Sequence, residues 1–164
     1  MEIRIIFSTS SSWLSKLIRW VTRSKVSHAS ICVIAQGLPI LVLQSTVGGV
    51  QAMSRTRWNR GNRVIKEFRS KIPVSLEHAC RLLGERYDYV GLIGYIPVLL
   101  GRWLGKKVKN PLASPRALVC AEFVLHLSQG QIPEWKGLDP EGTTPEDLLE
   151  VCDKGASFEA IALG

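Results

Sequence analysis

"KVSHASICVIAQGLPILVLQSTVGG", residues 25–49, is the stretch on which the reading of this chain turns. Two runs rich in Ile, Val and Leu flank a polar, glycine-containing break, which predicts a β-hairpin over residues 28–47 with His28 at its mouth. If the hairpin turns on three residues, Gln36 to Leu38, paired positions sum to an even number. His28, Ser30, Cys32, Val42 and Gln44 then share one face of the sheet. Gln44 falls opposite or diagonal to His28, where its amide oxygen can accept the imidazole N–H and hold the ring. A loop one residue longer or shorter separates the two.

Outward from the hairpin, "MEIRIIFS" alternates like a strand over residues 3–7. "STSSSWLSKLIRWVTRS" follows, with serine caps and Trp13, Leu14, Leu17, Ile18 and Val21 at helical spacing. The pattern predicts an amphipathic helix with those five residues inward and Lys16, Arg19 and Arg23 on a solvated outer face. After the hairpin, four arginines around Trp58 read as an exposed basic loop leading into a strand near Val64 to Phe68. No nucleic-acid-binding motif accompanies them. "SLEHACRLLGERY" predicts a helix ended near Gly84, with Leu76, Ala79, Cys80 and Leu83 on one face. "SPRALVCAEFVLHLSQG" predicts a strong helix bounded by Gly130, beginning either at Ser114-Pro115 or nearer Cys120. "TTPEDLLEV" carries a Thr144 cap and Pro145 at the first helical position, and a short strand follows around Phe158 to Ala162. Strands and helices mix without regular βαβ alternation, which predicts an α+β fold on an antiparallel sheet.

With 164 residues, 46% of them hydrophobic, the chain suits one domain, 1–164. The N-terminus lacks the basic head, apolar centre and cleavage site of a secretory signal, so a cytoplasmic protein is expected. The longest uncharged apolar run, Tyr89 to Gly101, is well short of the roughly 20 residues of a spanning helix. A formal net charge of +7 draws anionic surfaces of any kind, cell-wall polymers and membranes included.

Only 4 cysteines and 3 histidines are available for thiol chemistry. The cysteines at 32, 80, 120 and 152 show no paired spacing, so neither structural zinc nor a disulfide framework is indicated. A nucleophilic thiol needs a nearby imidazole or a helix N-terminus to become thiolate. Phe123, Val124 and Leu127 set Cys120 on the sheet-facing side of its helix, while His126 lies about 240° around from it and pairs with Glu122 instead. His78 points about 200° away from Cys80, which fits as a small core residue. Cys152 has no histidine nearby in sequence. His28 remains as the base, with Cys32, four positions and roughly 13 Å along its own strand, a rival nucleophile without a helix dipole.

The order "SHASICVIA", "LVLQSTVGGV", "RYDYVGLIG", "VCAEFV", "TPEDLL" resembles the circularly permuted papain-fold amidases and peptidases, the NlpC-like thiol hydrolases of the YiiX and YaeF type. The likeness spans almost the whole chain. It implies a central antiparallel sheet with a nucleophile-bearing helix packed against it, His28 as general base and Cys120 as nucleophile. Gln44 stands where relatives commonly carry a glutamate before Gly48, Gly49 and Val50. Glutamine can orient an imidazole but adds no charge to stabilise imidazolium. The implied reaction is acyl transfer through a thioester, with no metal or cofactor needed, on a peptide-like amide such as a cell-wall peptide. A second implied class is the lipid-acting thiol acyltransferase or phospholipase of the lecithin retinol acyltransferase type. The apolar stretch 89–104 followed by "GKKVKN" would then meet anionic lipid.

Overall fold

The computed structural model describes residues 1–85, 101, 120–128, 130–140 and 142–163. Except for Gly101, the apolar run from Tyr89 and the lysines after it lie outside the described residues, as does the stretch from Ser114 to Val119. Six strands form one sheet: β1 (Glu2–Thr9), β2 (His28–Ile34), β3 (Leu41–Thr46), β4 (Gly49–Ser54), β5 (Arg63–Ser70) and β6 (Phe158–Ala160). Their order is β4-β3-β2-β1-β5-β6, with every pairing antiparallel. Among the described residues the α-helices with defined bounds are α1 (Trp13–Thr22), α2 (Arg55–Asn59), α3 (Glu77–Arg81), α4 (Cys120–Ser128) and α5 (Pro145–Lys154). The fold is α+β, as the mixed patterning predicts.

The register of the opening hairpin is the predicted one in parity. Ile31 pairs with Leu43 and Cys32 with Val42, so His28, Ser30, Cys32, Val42 and Gln44 share a face. Carried on, the register sets Gln44 across from Ser30, one step diagonal from His28.

Each face of the sheet buries its own cluster. One face presents Ile3, Ile5, Phe7, Ala29, Ile31, Leu43 and Phe68 to Ala121 and Val124 of α4 and Leu148 of α5. Phe68 is the hinge of its aromatic contacts, meeting Phe7 edge-on at 5.9 Å and Phe158 at 6.5 Å. Such pairs are worth about 1 kcal/mol each beyond area burial. The other face carries Ile6, Cys32 and Val42 beneath Trp58 of α2.

Three local expectations give way. The segment read as an exposed basic loop is instead strand β4 and helix α2. Trp58 is 1% exposed, because Arg55 beside it pairs with the buried Glu67 and its other arginines turn outward. In α1, Trp13 and Leu17 face solvent rather than the core, and the inward residue is Ser15, 5% exposed. Cys80 is exposed rather than core. By contrast α5 starts as its sequence reads: the Thr144 hydroxyl accepts from the Asp147 amide at 3.2 Å, and the Asp147 carboxylate accepts from the Thr144 amide at 2.8 Å. Satisfying both orphan amides closes a capping box.

Candidate active site

The end of the sheet where β1 finishes and β2 begins is held by hydroxyls. The Ser27 amide donates to the Ser8 carbonyl at 3.0 Å. The buried Ser15 hydroxyl lies 2.6 Å from that of Ser27 and 3.1 Å from that of Thr9, and accepts from the Ser10 amide at 3.0 Å. Burying a polar side chain costs free energy that pairing of this kind offsets. The network therefore fixes which side of α1 faces inward, and it fixes where β2 starts.

His28 is the first residue of β2, and its imidazole is half-buried. Helix α4 packs across β2 and β3 on the opposite face of the sheet, with Cys120 as its first residue. At the sheet end the two meet, and the Cys120 thiol and His28 imidazole form a side-chain hydrogen-bonded pair. Burial by itself opposes charge on either group, pushing the thiol up and the imidazole down. The hydrogen bond and charge of each partner outweigh it, so the thiol sits below the ordinary thiol range and the imidazole above the ordinary histidine range. Backbone amides of Ala29 and Ala121 lower the thiol further, and Gln44 adds to the rise at His28. The arrangement favours a thiolate–imidazolium pair.

The third member fixes the tautomer. Gln44 Oε1 lies 2.8 Å from the indole nitrogen of Trp58 and 2.9 Å from His28 Nε2. An indole N–H only donates, so the amide atom facing it must be the oxygen. His28 Nε2 must then donate to that same oxygen, which leaves Nδ1 as the nitrogen for the Cys120 proton. On its other side the amide nitrogen of Gln44 meets the Met53 sulfur at 3.8 Å. Trp58 thus belongs to the site, although the sequence reading placed it in a loop. The one signal for it was Ser54, a helix cap whose hydroxyl accepts from the Arg57 amide and so starts α2 one turn before the indole.

The structure brings His28, Gln44 and Cys120 together. It does not bring Cys32 to His28's thiol-facing side: that thiol is buried on the sheet face beneath Trp58, and burial pushes it up. Burial likewise pushes the Cys152 thiol far up. His126 pairs with Glu122 at 3.7 Å, as its spacing predicts. A cleft of about 250 Å³ opens beside His28 and Gln44, walled by Ser10, Ser27, Thr46 and Asn62 and by Leu14 and Ile18 of α1. Among the described residues no helix is long and apolar enough to cross a membrane.

No protein-family model matches the chain, and no curated protein matches it. Among solved structures, the chain is similar to the metalloprotein YiiX (DUF1105) of Escherichia coli O157:H7. The two share 19% identity at a TM-score of 0.50, over 99% of this chain and 96% of that one. The likeness is one of fold: this chain has a YiiX-like α+β architecture.

Proposed function

We propose that the chain is a cysteine hydrolase of amide bonds, built as a permuted papain-like domain with Cys120 as nucleophile, His28 as base and acid, and Gln44 as orienting group. The observation that supports this reading is the hydrogen-bonded contact between the Cys120 thiol and the His28 imidazole, ninety-two positions apart in sequence. The chemistry follows from that contact. His28 Nδ1 takes the thiol proton, and the thiolate attacks the amide carbonyl carbon to give a tetrahedral oxyanion. Backbone N–H groups beside Cys120, that of Ala121 among them, receive the developing charge. Collapse breaks the C–N bond, with the imidazolium proton passing to the leaving nitrogen. The amine departs and a thioester remains. Water then gives its proton to His28 and attacks the thioester, which returns the carboxylic acid and the free thiol.

The E. coli protein is described as a metalloprotein. Among the described residues here, no group of three or more His, Cys, Asp or Glu is placed to hold a metal ion. Gln44 Oε1 already accepts from two N–H donors, so among the described residues the pair of Cys120 and His28 has no third ligand. The described residues do not by themselves make a metal centre, and no step above runs through one.

A lipid-acting thiol acyltransferase or phospholipase is the second reading, favoured by the apolar side that Leu14, Ile18 and Val47 give to an otherwise hydroxyl-lined cleft. Incubation with muropeptides and with short-chain phospholipids separates the two. Turnover of the peptide amide, abolished by Cys120→Ala, is the expected result. Turnover of lipid alone assigns the second reading, and absence of both with an unreactive Cys120 overturns the enzymatic account.

A further inference from the structure

Helix α1 turns three large apolar side chains to solvent. Trp13, Leu17 and Trp20 are 74%, 38% and 75% exposed, and at 100° per residue they fall within an arc of about 60°. Exposed apolar residues scattered singly are ordinary, whereas two indoles and a leucine side by side form a patch. The exposed Lys16 borders the patch, and the exposed Lys25 follows the helix. Rotation cannot hide it. Ser15 is tied to Thr9 and Ser27 on the far side of the helix, so turning the indoles inward would break a buried hydroxyl network. The helix also borders the cleft beside His28, whose lining includes Leu14, Ile18 and the exposed Val47.

We propose that this stripe is a docking surface for an anionic phospholipid membrane, with α1 lying in the headgroup plane and Trp13, Leu17 and Trp20 inserted toward the acyl chains. Indoles combine an apolar body with one N–H donor and settle at the boundary between hydrocarbon and water. The flanking lysines and the net charge of +7 complement anionic headgroups, each basic residue near such a surface being worth about fivefold in affinity. A second copy of the chain fits less well. The three side chains offer roughly 450 Å² per copy, against about 800 Å² per partner in a stable dimer. Docking in this pose brings the mouth of the cleft to the lipid surface. The proposal concerns that surface and does not depend on which bond Cys120 attacks.

The test uses the full chain carrying Cys120→Ala, so that binding is read without turnover. Co-sedimentation and tryptophan emission are followed with vesicles of phosphatidylcholine alone and of phosphatidylcholine mixed with phosphatidylglycerol. The expected result is a blue-shifted emission and binding to the mixed vesicles, weakened by added salt. The double variant Trp13→Ser, Trp20→Ser lowers binding about tenfold or more. The double variant Lys16→Glu, Lys25→Glu does the same. All four positions are exposed, and unchanged circular dichroism with an unchanged melting temperature identifies the variants as folded. Equal binding by the tryptophan variant, or no binding by the parent chain, overturns the proposal. So does a concentration-dependent dimer that the tryptophan variant loses while vesicles are ignored, which assigns the patch to a second copy. Because this chain lacks the thiol, a failure to bind leaves the hydrolase reading untouched, and binding without turnover by the native chain counts against the hydrolase reading alone.

Discussion

At the residue scale, a neutral amide holds the His28 imidazole, and its own neighbours hold the amide in turn. The Gln44 oxygen is committed to two donors, His28 Nε2 at 2.9 Å and Trp58 Nε1 at 2.8 Å. Trp58→Phe keeps the buried ring and deletes the N–H, so the amide can turn and the imidazole loses its fixed tautomer. A fall in kcat of about tenfold with KM nearly unchanged is the expected result. A loss confined to thermal stability would show that the indole only fills space. The ionisation of the pair gives a second expectation. The thiol is held low and the imidazole high, so thiolate is lost only as pH falls through the lowered thiol value. Imidazolium is lost as pH rises through the raised imidazole value. Hydrolysis needs thiolate and imidazolium together, so it should follow a bell whose acid limb is set by the thiol and whose alkaline limb is set by the imidazole. In a Cys80→Ser background, which removes the exposed competitor, iodoacetamide should label Cys120 well into mildly acidic pH. His28→Ala leaves burial unopposed by its largest counterweight, so labelling should slow about a hundredfold near neutrality. Equal rates with and without His28 would contradict the pairing.

At the element scale, α1 shows where hydrophobic spacing misleads. Trp13 and Leu17 sit at the spacing of a core stripe, yet the residue that faces inward is Ser15, paired with Thr9 and Ser27. A polar anchor leaves no mark in hydrophobic periodicity, and its partners lie on β1 and just before β2, so the face was unreadable from the helix alone. The same holds for α2, whose burial depends on Glu67 of β5 meeting Arg55. The hairpin was legible because strand parity is local: one turn length sets which of His28 and Gln44 share a face. The helix of Cys120 was legible for its sheet-facing side but not for its neighbour, since spacing within α4 carries no information about β2. The resemblance in the order of motifs supplied that pairing. Ser15→Ala tests the anchor. It strands the partly buried Ser10 amide and leaves the hydroxyls of Thr9 and Ser27 with only their 3.5 Å contact to each other, and should cost about 2 kcal/mol in urea unfolding. It should also slow labelling of Cys120, because Ser27 is the residue that leads into His28. A neutral substitution would mean that packing alone orients α1.

At the scale of the whole molecule, the pair of Cys120 and His28 is reached from both faces of the sheet. Helix α4 brings the thiol from one face, while α2 reaches the imidazole through Gln44 from the other. What holds α2 down is ionic as well as apolar. The carboxylate of Glu67 is 5% exposed in its side chain and bridges Arg55 of α2 at 2.9 Å and Arg4 of β1 at 3.2 Å, so one buried anion ties β5 to both. Arg55 in turn lies over the Trp58 ring, 5.2 Å from its centroid. Removing either arginine and removing the carboxylate are therefore different experiments. Arg4→Ala leaves the Arg55–Glu67 contact and should cost little at the site. Glu67→Ala deprives two half-buried guanidiniums of their shared carboxylate, and among the described residues Arg4 alone keeps another acidic partner, Glu2. The cost should be about 3 kcal/mol in urea unfolding. It should also loosen Trp58 and lower the labelling rate of Cys120, although Glu67 touches neither the thiol nor the imidazole. If Glu67→Ala unfolds more easily but labels at the parent rate, α2 is held by its apolar contacts alone, and the ionic tie does not reach the site.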